Sequence, residues 1–335
     1  NVAATLTTDV NGYAKAEGII PGNYTLKELT APTGYALDVT EHDVTIASGQ
    51  TATVSVTDYP QADPVGILLG KVDSITNANK PQGSASLAGA EFTIKYYAGI
   101  YDSDPAVLGH PPVRTWVFRT DEDGYVYYSN NWKISGDELY FATNGYATLP
   151  IGTITIQETK SPAGYLINSE VFVRQITSQG NTEWVNTYNQ PIIPESIIRG
   201  GVKIAKWDKE LDEKNPQGSA TLAGAQIAIL NDSDNPVMVN GTSYAKGQTV
   251  YTGTTNAQGV METAADLLPY GRYKYKEVKA PDGYQLSGDL EGSFTITEHG
   301  KIVDLTTSSP IKDDPIRGGV KIAKWDKELD EKNPQ

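Results

Sequence analysis

Along most of the chain, apolar and polar residues alternate in short runs, and Gly, Pro, Asn and Asp separate one run from the next. A period of two predicts half-buried β-strands, and helical periodicity is essentially absent. In YKYKEVKAPDGY, residues 273–284, Tyr273 and Tyr275 fall on one face of such a strand and Lys274 and Lys276 on the other. Glu277 continues the aromatic face, where a carboxylate is costly unless it is paired or protonated. The same word recurs as YTLKELTAPTGY, with Glu28 behind Tyr24 and Leu26, and as ITIQETKSPAGY, with Glu158 behind Ile154 and Ile156. Each continues into Pro, a variable residue and Gly, which suits a type I turn.

A second pattern places lysine inward. In VKIAKWD, Val202, Ile204 and Lys206 share a face while Lys203 faces water, and Ile67, Leu69 and Lys71 form the matching set in GILLGKVD. Lysine is almost never fully buried without a partner. A third polar group follows from aligning 185–206 with 303–324 without a gap, which sets Asn186 opposite Asp304. Strand parity places Asn186 with Trp184 and Tyr188, and Asp304 with Ile302. In the first repeat Asp58 follows Val54 and Val56 on one face. Lys, Glu and Asn or Asp thus converge on an apolar core.

The repeats set the organisation. PQGSASLAGAEFTI at 81–94 returns as PQGSATLAGAQIAI at 216–229, and IRGGVKIAKWDKELDEKNPQ at 198–217 returns unchanged at 316–335. The expected layout is all-β tandem sandwiches: a partial domain over 1–60 without its opening strand, complete domains over 66–194 and 198–314, and the opening strand of a further domain over 316–335. The middle domain carries an aromatic insert at about 95–145. The chain reads as a segment of a longer protein.

Composition narrows the function. The chain has 335 residues, a formal charge of −14 and no cysteine. The acidity argues against nucleic acid and anionic membranes as partners, and disulfides and thiolate metal sites are excluded. No apolar run of membrane-spanning length and no signal sequence stands out. DEDG at 121–124 aligns with DVNG and NAQG and reads as a hairpin turn, not a calcium loop. The histidines, His42, His110 and His299, are scattered and suggest no metal site.

A lysine desolvated in an apolar site becomes a neutral nucleophile, and a buried carboxyl is readily protonated. Proton exchange between Lys and Glu would leave an amine facing the carbonyl of Asn or Asp, with Glu shuttling protons as ammonia or water leaves. The product is an intramolecular isopeptide bond; the plain alternative is a buried salt bridge.

The opening-strand Lys, the Glu followed by APxGY, and the Asn or Asp near the end of each unit resemble the collagen-adhesin B-type (Cna-B, or SpaA-like pilin) domains of Gram-positive surface proteins. The resemblance covers both complete units and the partial one. It implies an immunoglobulin-like sandwich, a spontaneous isopeptide bond, no cofactor, no enzyme activity beyond a single-turnover autocatalytic step, and an extracellular place in an adhesin stalk or pilus-like fibre. Carried over residue by residue, it gives the sets Lys71, Glu158, Asn186 and Lys206, Glu277, Asp304. Asn189, in YNQP, is the alternative acceptor; parity and the ungapped alignment favour Asn186. Glu28 and Asp58 lack a lysine in their own repeat, and Lys324 of a neighbouring copy is a possible donor in trans. Expected partners are adjacent domains of the same chain, neighbouring copies in a fibre, or a host protein or glycan bound by the insert.

Overall fold

In the computed structural model, which describes residues 2–32, 35–60, 68–142, 145–176, 192–286, 291–325 and 327, every regular element is a β-strand. The chain divides into two compact units, Asn1–Lys80 with Ser86–Ser196, and Pro81–Ala85 with Ile197–Gln335.

In the second unit one antiparallel sheet runs in the order Thr249–Thr254, Gln226–Asn231, Gly271–Lys279, Glu291–Ile296. The central Glu strand, Gly271–Lys279, alternates buried and outward residues as its sequence requires, with Tyr273, Tyr275 and Glu277 inward. The opening strand, Arg199–Asp208, lies in a separate sheet and is paired along both edges. It runs antiparallel to Val260–Glu262 and Leu268–Pro269. On its other edge it runs parallel to two short strands in succession, Ile302–Asp304 against Gly201–Lys203 and Ile311–Pro315 against Lys206–Asp208. Val202 and Ile204 from the opening strand pack with Ile227, Ile229, Tyr273 and Tyr275 in one core. Lys206 and Glu277 therefore come from separate sheets and point into the same interior.

The first unit repeats this plan over 68–195. Val171–Ile176, Gly152–Lys160, Glu91–Tyr97, Arg114–Arg119 and Lys133–Gly136 form one sheet. The opening strand Leu68–Asp73 pairs parallel with Ile192–Glu195 and antiparallel with Tyr125–Tyr127. The aromatic insert is largely core: Tyr96, Tyr97, Trp116, Tyr128 and Tyr140 are buried. Tyr59, Tyr96 and Tyr140 meet edge to face with centroids 5.6 to 5.9 Å apart. Burial removes these rings from any ligand surface.

Within the same unit, Gly22–Leu26 pairs with His42–Ile46, and Tyr35–Asp38 pairs with Tyr140–Phe141 and Tyr59–Pro60. The expected closing strand through Val54, Val56 and Asp58 does not form, and Val56 is 56% exposed. In the last complete repeat the matching segment, Ile302–Asp304, leans on an opening strand, and none pairs with it here among the described residues. The turns at DVNG, DEDG and NAQG share one geometry. Asp9, Asp121 and Asn256 each accept N–H groups two and four residues on, and the glycine has positive φ.

Candidate isopeptide site

Three ionisable side chains meet in the core of the second unit. Lys206 Nζ lies 2.9 Å from Glu277 Oε1 and 2.6 Å from Asp313 Oδ2, and all three side chains are essentially without solvent exposure. Burial pushes the Glu277 carboxyl up to about 7; the Lys206 ammonium opposes that rise and the Asp313 carboxylate adds to it. The carboxyl is thus placed to exchange a proton with its neighbours near neutral pH.

Local structure fixes each group. Directly after Glu277 the register slips, so that Gln226 faces Lys279 while Ile227 faces Glu277, leaving Val278 as a bulge. The strand of Glu158 slips at the same place, with Phe92 facing Glu158 and Glu91 facing Lys160. A bulge re-aims the side chains beside it, and period-two reasoning gives no sign of one. The Tyr275 hydroxyl donates to the Ser309 carbonyl at 2.8 Å, holding the loop that leads into Ile311–Pro315. Beyond Lys206, Asp208 accepts a 2.6 Å hydrogen bond from the Tyr284 hydroxyl and takes the N–H groups of Glu210 and Leu211. Burial disfavours the Asp208 carboxylate, but these hydrogen bonds outweigh it and hold its pKa below the usual value. Tyr284 is pushed up to about 12 by burial and by donating to Asp208. The APxGY tyrosine thereby ties the turn after the Glu strand to the end of the opening strand.

The first unit reproduces much of this. Lys71 Nζ is 2.6 Å from Glu158 Oε1, both fully buried, with the Phe92 ring centroid 5.1 Å from the ammonium. Glu158 Oε2 accepts the Asn168 N–H at 2.7 Å, and the Tyr165 hydroxyl donates to Asp73 at 3.0 Å. In the first repeat Glu28 likewise accepts the N–H ten residues on, that of Asp38, at 3.0 Å. Glu28 and Asp58 are half-buried, and burial raises both; the Asp38 N–H opposes the rise of Glu28 while the Asp58 and Asp38 carboxylates add to it, and Asp38 adds to the rise of Asp58.

Of the sequence-predicted residues, the structure brings together Lys206 with Glu277 and Lys71 with Glu158. It does not bring Asp304 to Lys206. Asp304 stands opposite Lys203 in register, is exposed, and accepts hydrogen bonds from the backbone and hydroxyl of Thr306, which lower its pKa. Asp313 meets Lys206 instead, because the opening strand is long enough to need two partners and Lys206 lies beside the second. The signal was the alternation in Ile311, Lys312, Asp313, an apolar residue and an acid two positions apart just ahead of IRGGVK. Asn186 and Asn189 lie outside the described residues. The backbone register nonetheless sets Ile193 against Lys71 and Glu195 against Asp73, as Ile311 stands against Lys206 and Asp313 against Asp208. Lys324 is exposed and outside any strand. An Asp304→Ala chain is expected to keep the intact mass of the wild type apart from the substitution itself, with no water regained; denaturing mass spectrometry checks this.

The profile of SpaA, a prealbumin-like fold domain, matches residues 1–60, 73–191 and 201–309. The chain belongs to this family. Asp313 and Lys71 both fall just outside the matched SpaA stretches. Among solved structures, the Bacillus anthracis TIE protein is similar at 25% identity and a TM-score of 0.44, over 92% of this chain. The chain spans 45% of that protein's length. A C-terminal fragment of the pilus adhesin SpaC from Lactobacillus rhamnosus GG is similar at 15% identity and a TM-score of 0.35, over 78% of this chain and all of that one. The minor pilin GBS52 of Streptococcus agalactiae is similar at 16% identity and a TM-score of 0.28, over 78% of this chain and all of that one. No curated protein matches the chain at a significant level. The SpaA assignment rests on the three matched stretches. No helix among the described residues is long and apolar enough to cross a membrane.

Proposed function

We propose that the chain is a stalk segment of an extracellular bacterial fibre or adhesin, whose units close themselves with amide bonds between opening and closing strands. The observation that carries this reading is the buried contact of Lys206 with Glu277 and Asp313. Two carboxyls around one ammonium in an apolar interior are a doubtful gain as an ion cluster, since desolvation offsets much of their attraction. The same arrangement is well suited to condensation.

Glu277 takes a proton from Lys206, the neutral amine attacks Cγ of Asp313, and Glu277 passes that proton and then a second one from the attacking nitrogen to the departing oxygen, which leaves as water. An ammonium and a carboxylate become one amide and one water, so charge and protons balance without a co-reactant. The amine stands 2.6 Å from an oxygen of the carboxyl it attacks, so the two partners are already held together. In the first unit Lys71 and Glu158 take the same roles, and the backbone pairing of Glu195 with Asp73, like that of Asp313 with Asp208, makes residue 195 one acceptor to be tested. Asn186 and Asn189 are the other acceptors to be tested there. The reaction occurs once per unit, and the chain is not an enzyme in the usual sense.

A bond between the first and last strands passes tension across the unit without unpeeling either sheet, which suits a stalk without disulfides. The test is the intact mass of the denatured protein, followed by fragment sequencing across the crosslinks. The mass is expected to fall short by one water for each bond to Asp or Glu and by one ammonia for a bond to Asn. A full-length mass with neither loss would return these residues to ion pairs and end the stalk argument.

A pH dependence follows. Before the bond forms, the folded Glu277 carboxyl titrates near 7, above its unfolded value, so its contribution to stability is complete below the unfolded pKa and is lost as the pH rises through about 7. The ionised form is the one that takes the Lys206 proton and so starts the reaction. Freshly synthesised chain, sampled early by mass spectrometry, is expected to lose its water faster as the pH rises to about 7 and to level off above it. A rate that climbs steadily into alkali would point to simple lysine deprotonation instead.

A further inference from the structure

One repeated pentapeptide, PQGSA, stands in two different surroundings. Its copy at Pro81–Ala85 belongs to the second compact unit. There the Gln82 Oε1 accepts the Met238 N–H at 2.8 Å, and Gln82 is 3% exposed. The Gly83 N–H donates to the Pro236 carbonyl at 3.0 Å, the Asn235 N–H donates to the Gly83 carbonyl at 3.1 Å, and the Ser84 N–H donates to the Tyr270 carbonyl at 3.3 Å. A Cβ on Gly83 would stand 2.2 Å from the Tyr270 carbonyl oxygen, so only glycine fits this approach.

The copy at 216–220 has the same backbone, with φ of +57 at Gly218 against +58 at Gly83, yet a Cβ on Gly218 would meet nothing within 4 Å. Pro216, Gly218 and Ser219 are exposed. The face that receives PQGSA, formed by Asn235, Pro236, Met238 and Tyr270, lies in the same unit and is already filled by 81–85. An occupant for 216–220 must therefore bring a fresh copy of that face. Residues 316–335 repeat 198–217 without change, so the sequence that builds such a unit starts again directly after it.

We propose that PQGSA at 216–220 is a docking strap for a further unit of the same kind, received by that unit's counterpart of the Asn235 to Tyr270 face. This is independent of whether the amide forms. The strap supplies backbone groups and one glutamine, so the contact is specific without an apolar patch that would need covering beforehand.

The test uses the full chain and a chain extended beyond Gln335 by the sequence of residues 218–314, which completes a second copy of the third repeat. Amide hydrogen exchange is read at Gly218 and Ser219. In the extended chain these amides are expected to slow by roughly tenfold or more, towards the rates of Gly83 and Ser84. Unchanged exchange, with the core amides of the appended copy protected, would overturn the proposal. Two glycine variants of the existing chain add a check that needs no extension. Gly83→Ala is expected to speed exchange at Met238 and Asn235, while Gly218→Ala leaves exchange outside its own turn unchanged. Both glycines have the same φ, so backbone strain is common to the two. Equal effects, or no effect of Gly83→Ala, would show that the strap is not docked and remove the basis of the inference. In the extended chain Gly218→Ala should abolish the added protection.

Discussion

A chain carrying Asp313→Ala is expected to regain one water in its intact mass beyond the substitution itself, and to melt far earlier in its second compact unit. The Lys206 to Asp313 amide would close a loop of about a hundred residues, which for a crosslink of that span is worth about 5 kcal/mol in the chain-entropy account. For a domain of this size such a loss lowers the melting temperature by roughly 20 °C or more. Calorimetry should show one transition moving while that of the first compact unit stays in place. The variant keeps Lys206 beside Glu277, so the fall is not that of an abandoned buried charge. An unchanged mass deficit would mean that the bond, if present, uses another acceptor.

Glu277→Gln separates chemistry from contact. Lys206 and Asp313 still meet, with a neutral amide of nearly the same shape beside them, but the proton shuttle is gone. Bond formation is expected to slow about 10²–10⁴-fold, the usual worth of a positioned acid or base. Freshly folded protein should then show its full mass, and a time course of water loss measures the rate. A variant that condenses as fast as the wild type would leave Glu277 as a structural partner only. Because the ion pair survives, its melting temperature compared with that of the crosslinked protein isolates the covalent contribution.

Much of this site was legible in the sequence because side-chain parity in a strand is rigid. Tyr273 and Tyr275 declared the inward face, and Glu277 had to follow them; Val202 and Ile204 did the same for Lys206. Parity says which face a residue occupies and nothing about how far along a partner strand it sits. Asp304 was therefore an admissible acceptor until the register placed it beside Lys203, three residues short of Lys206. The two-part pairing of the opening strand, the bulges after Glu158 and Glu277, and the capture of Asp208 by Tyr284 are all tertiary facts without a local signature. The segment through Val54 and Val56 shows the converse, since its alternation is sound but no opening strand among the described residues meets it, and it does not become a strand. The aromatic insert was legible as an addition but not as core, because rings exposed on a hairpin and rings filling a sandwich have the same composition.

The parallel pairing of opening and closing strands divides the residues of a unit into two populations. If Lys206 and Asp313 are joined, a pull on the ends of the unit runs through the opening strand to one side chain, across, and out through the closing strand. Everything between those two residues is a bypassed loop that bears no load. Changes in length there leave the tether as short and as strong as before. The first compact unit carries just such an addition, the strands Lys133–Gly136, Tyr140–Phe141 and Ala147–Thr148, in the stretch between its own lysine and its own closing strand. New elements can be added to such a unit in that interval without lengthening or weakening the line that carries the force.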